Sequence, residues 1–135
     1  MAMLAQCLCG EIKFSVDKFL PLVAHCHCKM CQRFHGAAFS TYAEVKLDDF
    51  HWLSGKELLQ HYRADNESER MFCLQCGSSL LFESRFNREQ GTIEVALAAF
   101  NDELDIKANA HIYTASRACW YQIEDKLPQY KGYRE

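Results

Sequence analysis

The sequence predicts a mostly β fold, and three observations predict it. Ile12, Phe14 and Val16 alternate with Lys13, Ser15 and Asp17, the period-2 pattern of a half-buried strand. Short runs rich in aromatic and β-branched residues recur along the chain, punctuated by Gly, Asn, Asp and Ser. Eight cysteines, gathered in close groups, organise a chain that has no internal repeat.

Taken in order, the strands are expected over 11–17, 22–27, 37–45, 57–63, 69–73, 79–84, 91–97 and 109–113. Two short helical turns are expected, one over 29–35 after a cysteine and one over 48–52, where local polar side chains compete with strand pairing. The only prolines are Pro21 and Pro128, and no Pro/Gly/Ser-rich stretch marks a linker. With 135 residues, 49% of them hydrophobic, the chain is expected to form one domain over residues 1–135 with its own core.

The formal charge of -3 arises from 15 basic and 18 acidic residues spread along the chain. No polybasic block stands ready to neutralise phosphates or anionic lipid, so neither nucleic acid nor a membrane is expected as a partner. The longest apolar runs, such as Val95 to Phe100, fall far short of the roughly 20 residues that cross a bilayer. No charged leader with an apolar region precedes Cys7, so a cytoplasmic setting is expected, in which cysteines remain thiols. Metal binding is then the first account of them.

Cys73-Leu-Gln-Cys76-Gly77 carries two thiols at zinc-knuckle spacing, followed by a glycine suited to a turn of positive φ. Two sulfurs fill half of a tetrahedral ion, and Cys7-Leu-Cys9-Gly10 is the obvious complement. Cys7, Cys9, Cys73 and Cys76 therefore group as one four-thiolate structural zinc site that clips the N-terminal region onto the middle of the chain. A redox Cys-X-X-Cys or ordinary buried thiols are the plainer alternatives, although the surrounding pattern lacks the βαβ unit of thioredoxin-like pairs.

Cys26-His27-Cys28-Lys29-Met30-Cys31 runs an extended Cys-X-Cys into Cys-X-X-Cys and can turn three thiolates toward one point. Cys26 and Cys28 share one strand face, His25 and His27 the other. Three protein ligands with no clear fourth match a catalytic zinc, whose open position takes water or a substrate thiolate. His25, His27 or His35 supplying a fourth ligand would instead close the site. His25 or His27 could also serve as general acid or base. Lys29 and Arg33 could meet substrate carboxylates or simply be solvated. Cys119 is expected to be a small buried thiol, and His51, His61 and His111 structural residues.

The three cysteine blocks in this order, with Gly36 after the second and Phe72, Ser78 and Leu80 around the third, resemble the glutathione-dependent formaldehyde-activating enzyme family, the CENP-V/GFA domain. Phe50 and Gly55, Tyr62, and the tail from His111 and Ile112 through Trp120 to Leu127, Pro128 and Tyr130 agree with it. The resemblance implies a β-tent fold of small coiled antiparallel sheets organised around zinc. It places a structural zinc on Cys7, Cys9, Cys73 and Cys76 and a catalytic zinc on Cys26, Cys28 and Cys31. It implies a carbon-sulfur lyase whose partners are a small-molecule thiol, such as glutathione, and an aldehyde, with reversible formation of S-(hydroxymethyl)glutathione from formaldehyde as the reaction. The segment Phe100-Asn101-Asp102-Glu103 lacks the proline often found there in the family. The alternative function is a zinc-stabilised binding module or a thiol carrier without catalysis.

Overall fold

A computed structural model describes residues 2–134. Among the described residues the chain is mostly β, as predicted, and ten strands form two sheets. The smaller has the order β1-β2-β5, from β1 (Met3–Gln6), β2 (Lys13–Val16) and β5 (Phe50–Ser54). The larger has seven strands: β3 (Val23–Cys26), β4 (Ser40–Lys46), β6 (Leu59–Arg63), β7 (Glu69–Cys73), β8 (Ser79–Glu83), β9 (Thr92–Ala96) and β10 (Ala110–Ile112). Its order is β10-β3-β4-β9-β8-β7-β6, antiparallel throughout except where β10 runs parallel to β3. These small, mostly antiparallel sheets agree with the fold the resemblance implied, the β10–β3 pair being the parallel exception.

The strand expected over 11–17 is the centre of the smaller sheet and is more buried than its alternation implied. Ile12, Phe14 and Val16 are fully buried, and Ser15 is buried on the other face. β1 and β5 flank it, and neither was expected as a strand. Over 48–52 the expected helical turn is displaced: a 3-10 turn closes at Leu47–Asp49, and the chain extends from Phe50 because Phe50 and Trp52 both pack on Phe14. Helix α1 (Lys29–His35) lies where predicted, capped by Cys28 and ended by Gly36 in the left-handed region. Helix α2 (Arg85–Gln90) was not expected; Ser84 and Asn87 form its capping box.

The two faces of the larger sheet do different work. Ala43, Val45, Met71, Leu81, Ile93 and Val95 point to one face and merge with Ala5, Ile12, Phe14 and Val16 into the main core between the sheets. The alternate positions Cys26, Ser40, Tyr42, Glu44, Phe82, Glu94, Ala96 and Arg70 share the opposite face through direct cross-strand pairing. Cys31 of α1 packs on that second face against Tyr42 and Ala96.

Gly55 joins the sheets' edges at φ 75°, where an added Cβ would stand 2.1 Å from the Glu11 carbonyl oxygen. That oxygen belongs to backbone and cannot swing aside. Gly55→Ala is expected to cost about 2–4 kcal/mol, from the left-handed conformation and the clash together. A urea midpoint equal to the parent's would contradict this.

Candidate metal centres

Tight turns deliver the first cysteine group. Gly10 N–H donates to the Cys7 carbonyl at 3.1 Å and Gly77 N–H to the Cys73 carbonyl at 2.8 Å, with both glycines at positive φ. The turns bring Cys7, Cys9, Cys73 and Cys76 together with all four sulfurs within 4.8 Å of one another. The Cys7 and Cys9 sulfurs are 3.5 Å apart and those of Cys9 and Cys73 are 3.9 Å apart. Such separations are far beyond a disulfide bond of about 2.05 Å, and all four cysteines are free.

Donors surround these sulfurs as thiolates require. Ile12 N–H donates to Cys7 at 3.3 Å and Gln75 Nε2 to Cys9 at 3.3 Å, and the Ser78 hydroxyl lies 3.3 Å from Cys76. Ser78 also accepts from Leu8 N–H at 2.8 Å, tying the two halves together. Cys7 and Cys73 sit within the main core, so the group is continuous with the packing between the sheets.

The second group joins the end of β3 to the start of α1. Cys26 closes the strand, Cys28 is the helix N-cap, and Cys31 lies in the first turn. Their three sulfurs lie within 4.8 Å of one another, and no histidine joins them among the described residues. Cys31 is buried, whereas Cys26 and Cys28 are half-buried, which leaves the cluster accessible from one side. Three sulfurs this close cannot all be anionic without a cation. Sharing of protons with Cys28 and Cys31, together with burial, pushes the Cys26 thiol far up. Hydrogen bonds from Cys26 and Cys31 hold Cys28 far below the usual thiol range. Either group can hold a metal ion.

Around the triplet the second sheet face is polar. Tyr42 hydroxyl lies 2.9 Å and Ser79 hydroxyl 3.2 Å from His35 Nε2, so His35 is committed to these partners and not to the sulfurs. Arg70, buried to 4% exposure, donates from Nη2 to Cys31 at 3.6 Å. Glu94 stands directly opposite Glu44 across β4 and β9, and burial, then the Glu44 charge, lift its carboxyl to about 7.

That lift has a sign for stability. An unfolded glutamate ionises near 4.5, so between about pH 4.5 and 7 the folded chain holds a proton that the unfolded chain has lost. Stability therefore falls as pH rises through this window. Glu94→Gln is expected to be more stable than the parent at pH 8, by on the order of 2 kcal/mol, and to converge with it near pH 5. Parallel urea curves at the two pH values test this; a constant difference would contradict it.

The histidines near the triplet occupy the other face, as alternation required. His27 is fully buried, its Nε2 2.8 Å from His111 Nδ1, and His111 Nε2 lies 2.9 Å from an Asp125 carboxylate oxygen. His25 Nδ1 lies 2.7 Å from the Thr41 hydroxyl. Neither His25 nor His27 shares a face with the open side of the thiols, so the general acid/base role considered for them does not fit this geometry. Lys29 and Arg33 are exposed, and Cys119, expected to be buried, is exposed too. Sequence reasoning missed Arg70, Glu94 and Asp125; period-2 alternation in the strand expected over 69–73 sets Arg70 opposite Met71 and Cys73, but alternation does not reveal that both faces of the sheet are occupied.

Among the described residues no helix is long and apolar enough to cross a membrane. A family model described as glutathione-dependent formaldehyde-activating enzyme matches residues 2–116. An uncharacterized lyase of Schizosaccharomyces pombe is 28% identical over 77 residues, 57% of this chain. The match spans only 54% of that relative's length. The crystal structure of a Rhodobacter sphaeroides protein, solved as a structural genomics target, is similar with a TM-score of 0.63 and 24% identity, covering 76% of this chain and 92% of that one.

Proposed function

Because this chain belongs to the glutathione-dependent formaldehyde-activating enzyme family, we propose that it is a zinc-dependent carbon-sulfur lyase that makes and breaks a small thiol adduct of an aldehyde. S-(hydroxymethyl)glutathione, from formaldehyde and glutathione, is the adduct that family membership favours. The observation that carries the reading is the pairing of a closed four-sulfur group with an accessible three-sulfur group in one chain.

The donor sets fit zinc. Four sulfurs at tetrahedral corners, each about 2.3 Å from a zinc ion, stand about 3.8 Å apart, and the observed 3.5 and 3.9 Å bracket that edge. Cys7, Cys9, Cys73 and Cys76 would hold a structural zinc, and Cys26, Cys28 and Cys31 a catalytic one with a fourth position left for substrate. When bound there, zinc supplies a Lewis acid that holds the substrate sulfur as thiolate at neutral pH.

In the forward direction a sulfur-carbon bond forms, the carbonyl π pair passes to oxygen, and that oxygen takes the proton the thiol gave up. Within the triplet, Cys31 is buried beside buried Arg70, and Cys26 and Cys28 are the more accessible thiols. Glu94, on the same sheet face and titrating near neutrality, is the carboxyl suited to hold the travelling proton. Orientation of two small reactants beside these thiols is worth several decades in rate.

The test is metal content with a rate. Protein purified without chelator should carry two zincs per chain and should accelerate exchange between formaldehyde, glutathione and their adduct, followed by NMR. Two zincs with exchange no faster than in buffer would point to a thiol carrier or binding module, and no zinc would sink the reading.

A further inference from the structure

Arg70 is a buried cation that lacks a carboxylate partner among the described residues. An arginine does not lose its proton in proteins, and burying its charge costs several kcal/mol unless an anion or good hydrogen bonds compensate. Its hydrogen bonds are few: Nη1 donates to the Ser68 hydroxyl at 3.3 Å, Nη2 to Cys31 at 3.6 Å, and buried Nε finds no partner. The guanidinium lies over the Phe82 ring at 4.8 Å and the Phe34 ring at 6.0 Å, aromatic faces that help to hold it in place. Glu94, a carboxyl on the same face, feels the Arg70 charge, but burial and the Glu44 charge outweigh it, and no Glu94 oxygen comes within ion-pair distance of Arg70.

We propose that Arg70 is the built-in counter-charge of the Cys26, Cys28 and Cys31 group and that it makes an anion, a substrate thiolate, the preferred fourth ligand of the metal held there. Three thiolates on a divalent ion leave one net negative charge, and a fourth thiolate would leave two. A fixed guanidinium cancels the first, so the arriving thiolate meets a neutral centre instead of an anionic one. Its N–H also draws electron density from the Cys31 sulfur, which strengthens the ion as a Lewis acid. Arg70 acts through Cys31 and is a positioning residue. The proposal rests on the reading of this triplet as a metal centre.

Cobalt(II) is the probe, because thiolate ligation gives it a sulfur-to-metal charge-transfer absorption. The cobalt-loaded parent, Arg70→Met and Arg70→Lys are titrated at fixed pH with 2-mercaptoethanol, which binds as an anion, and with imidazole, which binds neutral. Arg70→Met is expected to lose roughly 10–100-fold in thiolate affinity while its imidazole affinity stays at the parent's value. Arg70→Lys, which keeps the charge, is expected to recover most of the loss. Equal weakening of both ligands, or unchanged thiolate affinity in Arg70→Met, would overturn the proposal. Should Arg70→Met not fold, the lysine variant decides: retained thiolate preference supports the counter-charge, and lost preference with cobalt still bound refutes it. A parent that takes up cobalt at the four-sulfur group alone removes the proposal together with the metal-centre reading beneath it.

Discussion

Replacing Cys73 with serine is expected to leave no folded protein at room temperature. Cys73 is fully buried within the main core and stands beside Cys7, so its group holds the smaller sheet against the larger one. A structural zinc contributes on the order of 10–16 kcal/mol of binding free energy that exists only in the folded state. The net stability of a domain is only about 5–15 kcal/mol. Serine offers a protonated oxygen where a thiolate is needed, and it leaves three sulfurs whose mutual repulsion is then less well offset. Far-UV circular dichroism with zinc analysis checks this. A Cys73→Ser protein that melts with the parent, with or without its metal, would show that packing alone suffices to join the sheets.

The second large effect is expected in rate, not in folding. Cys28→Ser should remain folded, lose one zinc per chain, and lose on the order of 10³-fold in turnover, the several kcal/mol that a Lewis acid supplies at 1.36 kcal/mol per decade. Folding is preserved for a specific reason. Cys28 caps α1, its sulfur accepting from Cys31 N–H at 3.3 Å, and serine is among the best N-cap residues. The site is also half-open, so little apolar burial is lost. Thermal melts and the NMR exchange rate should therefore separate. Global unfolding would mean that this group is architectural, and undiminished exchange would mean that it is not the reaction centre.

The contrast between these variants shows where the sequence was informative. Spacing alone grouped Cys7 and Cys9 with Cys73 and Cys76, because short Cys-X-Cys and Cys-X-X-Cys turns have few geometries and the glycines after them mark positive φ. Alternation put His25 and His27 opposite the thiols for an equally local reason. What stayed hidden depends on contacts between distant segments. β5 was obscured because Asp48 and Asp49 dominate the turn just before it, and only packing of Phe50 and Trp52 on Phe14 selects the extended form. α2 spans six residues, too few to set up a helical period, although Ser84, Asn87 and Gly91 mark both ends. Arg70 and Glu94 lie in expected strands at positions that alternation alone assigns to solvent. They became site residues only when α1 folded over what would otherwise be the solvent face.

The parallel strand at the edge of the larger sheet carries a consequence for biosynthesis. All three triplet thiols lie in the first quarter of the chain, yet β3 is completed by β10, and His27 N–H finds its acceptor only in the Ile112 carbonyl, in the last quarter. A ribosome emits residues at about 5–20 per second, so for several seconds the nascent chain presents three neighbouring thiols while the strand that completes β3 is still unmade. The pairing is also of high contact order and cannot form early. The triplet therefore reaches its final surroundings only after residue 112 is made, whereas all four cysteines of the other group are present once Cys76 emerges. On the proposed two-metal reading, the four-sulfur group would be the first able to load.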